Sequence, residues 1–187
     1  GVFAVVMGSG LVAADEEGGQ LDLILAHPVS RTGLFLGRLF AFVAASVAIL
    51  LVGWLGLIIP LAWSPLGLGH GQLALPFLSL LAQILVYGSL AVLLSLLLPA
   101  RRLAAMLAGV VLAASYFLSS LAILNPDLAT LSRFLPYEYY QGGKAIDGLN
   151  LEWLFALLVA SALLALLAWW RFLRRDIRVA GEGSWPR

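Results

Sequence analysis

The chain has 187 residues, of which 62% are hydrophobic and 11% charged, and its formal net charge is +1. A soluble domain carries about 25% charged residues, so this composition excludes an ordinary soluble domain. The absence of cysteine excludes a disulfide framework and thiolate metal chemistry, and no nucleic-acid partner is expected.

Taken in order, the apolar blocks fall at 1–14, 34–59, 75–98, 103–124 and 153–170. The last four are long enough to cross a bilayer, since about 20 helical residues span about 30 Å of hydrocarbon. Residues 2–14 are too few to span and lack a basic leader region, so 1–14 reads as the end of a truncated span. The polar run Asp15 to Arg31 follows. Its acidic residues Asp15, Glu16 and Glu17 suit a helix N-terminus. Leu21, Ile24 and Leu25 recur at helical spacing opposite Asp22, and Pro28 stops the helix. Ser30 or Thr32 can cap the next one. Between two membrane spans, residues 15–31 therefore form a short amphipathic helix and turn, shaped to meet another protein.

Gly53, Gly56, Ser89, Ser95, Ser115, Ser119 and Ser120 are scattered through the spans, where small residues let helices approach closely. The connection 60–74 is a turn-rich loop, and Pro99 to Arg102 is a tight turn. The 125–150 stretch is the longest connection, with Leu128, Leu131, Phe134 and Leu135 on one side of a short helix and the tyrosine-rich Pro136 to Tyr140 after it. It is expected to lie on or dip into the outer interface, because tyrosines collect at the membrane–water boundary. Residues 171–187 form a basic tail after an aromatic pair, Trp169 and Trp170.

The basic residues orient the chain. If 15–33 is cytoplasmic, the inside segments hold nine of the 11 Lys and Arg residues and the outside segments hold only Arg133 and Lys144. Such asymmetry in short loops marks the cytoplasmic side, so the C-terminus is expected there too.

Catalytic constellations are not visible. His27 and His70 have no histidine partner one helical turn away and read as surface residues. No nucleophile elbow or phosphate loop is present, so the chain is not expected to be an enzyme or to hold a cofactor. Carboxylates, which would mark a proton route, are missing from the spans; Glu152 sits only at an end. Ser79, Gln83 and Tyr87 share one helical face. They face either a translocation path or a neighbouring helix.

In this order the chain resembles the membrane subunit of type-2 ATP-binding-cassette exporters. Their second span leads into E-x-G-T-L-x-x-L-L-x-x-P-V-S-R and then a span opening near L-G-K. Glu17, Gly19, Leu21, Ile24, Leu25, Pro28, Val29, Ser30 and Arg31 match that run, with Gln20 in place of Thr. Leu36-Gly37-Arg38 follows, and the Pro136 to Tyr140 element and Arg174 to Ile177 also look like the family. The resemblance implies an all-α, polytopic membrane bundle, a single permease domain with about five spans present against six in the intact family. It further implies a cytoplasmic coupling helix seated on a separate ABC ATPase subunit, and a second permease subunit, identical or homologous. Leu21, Ile24 and Leu25 would be the buried anchor; Glu16, Glu17, Asp22, Pro28 and Arg31 complete the contact. The expected setting is multi-pass in a bacterial or archaeal plasma membrane, surrounded by lipid. The alternatives are a non-transporting scaffold that recruits a cytoplasmic protein through the same helix, and a helix that merely lies on the headgroups.

Overall fold

The computed structural model describes residues 1–17, 30–61, 63, 69–122, 124 and 126–174. Among them every regular element is helical. The order is α1 (Val2–Gly10), α2 (Ala13–Glu17), α3 (Arg31–Leu61), α4 (His70–Leu97), α5 (Arg101–Ala122), α6 (Pro126–Ser132), two 3-10 turns (Pro136–Tyr139 and Gly142–Ile146) and α7 (Leu151–Arg174). Four of these, α3, α4, α5 and α7, are long and apolar enough to cross a membrane. The all-α membrane bundle expected from the sequence is therefore what the chain forms.

Helix α4 is the core. Of its most apolar stretch 61% is buried, against 11% for α3 and 17% each for α5 and α7. It packs against α1, α3, α5, α7 and both 3-10 turns. Its small residues explain why so many neighbours fit around it. A Cβ on Gly88 would lie 2.3 Å from the ring of Phe42 in α3, and one on Gly8 of α1 would lie 2.4 Å from the Gly88 carbonyl oxygen. Three helices thus converge on a point where no side chain has room. Around it Phe42, Ala4, Val5, Ile84, Tyr87, Ala91 and Ala108 form one buried cluster. A second cluster, with Val12, Phe35, Val92, Leu96, Ala168 and Phe172, joins the start of α3 to the end of α7, where Phe35 and Phe172 stack at 5.7 Å.

The outer faces remain apolar. Phe40, Val52 and Ile59 of α3 and Met106, Val110 and Phe117 of α5 are each more than half exposed. On a soluble protein such patches would demand a partner, whereas here they suit hydrocarbon. Four of the serines resolve their polarity within their own helices. Ser9, Ser46, Ser95 and Ser115 donate to the carbonyls of Val6, Phe42, Val92 and Val111, three or four residues back.

Candidate functional site

Two groups of residues singled out by sequence can be followed in the structure. The first is the acidic segment. Helix α1 breaks at Leu11 and Val12, and α2 starts at Ala13. Asp15, Glu16 and Glu17 follow Ala13 and Ala14 into α2, so Asp15 stands at its third position. Leu21, Asp22, Ile24, Leu25 and Pro28 lie outside the described residues. Ser30 caps α3, its hydroxyl accepting the Gly33 N–H at 3.1 Å, and Arg31 is the first residue of that helix.

What the sequence did not disclose is a clamp across the two ends of this segment. Arg38, two turns into α3, forms an ion pair with Asp15 and donates to the Leu11 carbonyl at 2.7 Å. Both side chains of the pair are about one-fifth exposed, at 22% and 23%. Asp15 is thereby engaged inside the chain. The guanidinium also meets a carbonyl at the end of α1, where the helix dipole favours a cation. The only hint of it in the sequence is the proximity of opposite charges in a chain with few, and the register of the 22 intervening residues is not readable from charge alone.

The second group is Ser79, Gln83 and Tyr87. All three are in α4 and buried inside the chain, at 1%, 4% and 0% exposure. Ser79 accepts the Gln141 N–H at 3.0 Å. The amide of Gln83 and the hydroxyl of Tyr87 are buried without a hydrogen-bond partner. Ser115 of α5 is near Tyr87, but its proton goes to Val111 at 2.6 Å.

Gln141 was not anticipated. Beyond its bond to Ser79, its side-chain carbonyl accepts the Asn150 N–H at 2.7 Å and its amide donates to the Asn150 carbonyl at 2.9 Å. The Asn150 side chain in turn accepts the Trp153 N–H at 3.2 Å, capping α7. The 136–150 segment is thus tied down onto α4 and α7 rather than hanging from the bundle as a free loop. Leu131 and Phe134, on the expected apolar side of the short helix before Pro136, stay exposed, Phe134 at 82%. Tyr116, Tyr137 and Tyr140 form a chain of ring contacts at 5.2 and 5.5 Å. Burial raises the Tyr137 and Tyr140 phenols above the ordinary tyrosine value, and at Tyr137 the neighbouring phenols of Tyr140 and Tyr116 add to the shift.

At the opposite end of the bundle Arg174 lies over the Trp170 ring at 4.4 Å. Arg38, Arg101 and Arg174 all belong to this end, with Arg101 packed against Gly10. No group of three or more acidic, histidine or cysteine residues is arranged to hold a metal among the described residues.

Among curated proteins none matches the chain. The family model described as ABC-2 family transporter protein matches residues 1–177. That match covers both groups of residues, all four spanning helices and the connections between them, and the chain is accordingly a member of the ABC-2 family of transporter membrane proteins.

Proposed function

We propose that this chain is the permease subunit of an ATP-driven exporter, and that residues 15–31 are its contact with a separate cytoplasmic ATPase. The reading rests on one observation above the others. The two anchors of the segment, Asp15 and the start of α3, are tied to one another through Arg38. A force applied to the chain between them therefore reaches α1 and α3 together. Leu21, Ile24 and Leu25 supply the apolar anchor for a groove on the ATPase, and Glu16, Glu17 and Asp22 set its orientation against basic residues. Pro28 and Arg31 complete the contact. The arginine-rich end of the bundle, with the C-terminus, faces the cytoplasm of a bacterial or archaeal cell. A second permease subunit completes the transporter.

The test is a triple substitution, Leu21, Ile24 and Leu25 each to Ser, in the full chain. Membrane insertion stays intact, while co-purification of the ATPase and transport-linked ATP hydrolysis fall to background. Unchanged co-purification together with unchanged hydrolysis would refute the reading. Co-purification with no hydrolysis linked to transport in the unaltered chain would instead identify a scaffold.

A further inference from the structure

The polar face of α4 divides in two. Toward the N-terminus of the helix it is closed, because Ser79 accepts the Gln141 N–H at 3.0 Å and Gln141 is tied in turn to Asn150. Gln141 also belongs to the wall of a polar cavity of about 330 Å³, together with Ser119, Tyr137, Glu138, Lys144 and Trp153. One and two turns beyond Ser79 come Gln83 and Tyr87, and the three residues cover about 12 Å of helix.

Gln83 and Tyr87 are unmatched where Ser79 is matched. Both ends of the Gln83 amide and the Tyr87 hydroxyl are buried without a hydrogen-bond partner. The described residues themselves close these side chains in, at 4% and 0% exposure. Polar side chains that serve only to join membrane helices meet a donor or acceptor across the contact. The side chains clustered with Tyr87 are instead Ala4 and Val5 of α1, Phe42 of α3 and Ala108 of α5, which offer neither. Ser115 of α5, near Tyr87, gives its proton to Val111 of its own helix. Unmet groups in a water-free bundle destabilise the packing that holds them and favour any arrangement in which they reach water. The contacts of α4 with α1 and α5 suit such a shift, being made by small residues at Gly8, Gly88, Ala91 and Ala108.

We propose that Gln83 and Tyr87, with Ser115 opposite, line a water-accessible path that opens between α4 and helices α1 and α5 during the ATP cycle. The Ser79–Gln141 bond is its closure toward the polar cavity. This assignment rests on the permease reading above and adds to it the polar wall along which cargo passes.

The chain contains no cysteine, so an introduced thiol is its only target for a thiol reagent. Gln83→Cys and Ser115→Cys are made in the full chain, assembled with its ATPase in lipid nanodiscs, and treated with a charged methanethiosulfonate that stays in water. Ala82→Cys is the control, on the same helix and fully buried but clustered with Leu157 of α7. Without nucleotide all three label slowly. Trapping with ADP and vanadate speeds labelling at 83 and 115 by about tenfold and leaves 82 unchanged. Gln83→Met, added to Ser115→Cys, removes the unmet amide and lowers the trapped-state rate by about tenfold. Slow labelling at both positions in a complex that hydrolyses ATP overturns the proposal and leaves the ATPase contact standing. Equal acceleration at 82, which marks a general loosening, overturns it too, as does an undiminished rate with Gln83→Met. If the unaltered chain retains no ATPase, the permease reading falls and the path with it.

Discussion

At Gly88 the packing of three helices is decided by a single missing atom. Alanine there would set a methyl 2.3 Å from Phe42, which is fully committed to the core at 2% exposure. Gly88→Ala is expected to cost about 1–3 kcal/mol, because an overpacked core must move its backbone or its rotamers. Gly56 of α3 has nothing within 4 Å, and there the same substitution should stabilise by about 0.5–1 kcal/mol. Thermal unfolding of the two variants in one detergent separates a glycine required for close approach from one that is merely tolerated. Gln83 presents a different case, a buried polar side chain with no hydrogen-bond partner. Methionine keeps its shape and removes the unmet donor and acceptor, so Gln83→Met should raise stability by about 1–2 kcal/mol. Transport assayed beside unfolding distinguishes the two roles left open by the sequence. Retained transport with a higher midpoint marks a packing residue, and lost transport marks a functional one.

Among the elements, the spanning helices were legible and their connections were not. Long apolar runs such as 34–59 and 103–124 need only length and hydropathy to be recognised; α3 (Arg31–Leu61) contains the first, and α5 (Arg101–Ala122) begins two residues before the second and ends at Ala122. Tertiary pairing is a different matter. Composition carries no signal that Arg38 reaches back to Asp15, or that Gln141 spans from Ser79 to Asn150, because each depends on how distant turns of chain are brought together. The break at Leu11 and Val12 was likewise hidden inside a run of uniform hydropathy. The core of the proposed ATPase contact was readable only as spacing, and its apolar residues lie outside the described residues. The Gln141 strap can be tested on its own. Gln141→Ala removes two side-chain bonds and should raise backbone hydrogen exchange across 136–150. The Asn150 N–H loses its acceptor, at about 1–3 kcal/mol of local stability where it stays buried, while the Asn150 carbonyl keeps the Leu154 N–H. Exchange in α5 should stay unchanged, and a uniform rise across the chain would mean that the strap holds the whole fold.

For the molecule as a whole, one well-buried helix surrounded by lipid-facing neighbours divides the chain into an axle and a rim. α4 has nearly every face occupied, while α3 offers most of its surface to the bilayer. One end gathers Arg38, Arg101, Arg174 and Asp15, the other gathers Tyr137, Tyr139 and Tyr140 with Arg133 and Lys144. The self-directed hydroxyls of Ser9, Ser46, Ser95 and Ser115 carry a mechanical corollary. Each is satisfied by its own rod, so none of them rivets one rod to the next. Rotation or slip between neighbours would break none of these four bonds, and its resistance at these positions comes from shape alone. A device that must repeat a stroke many times gains from such bearings: they wear no latch and need none re-made on the return.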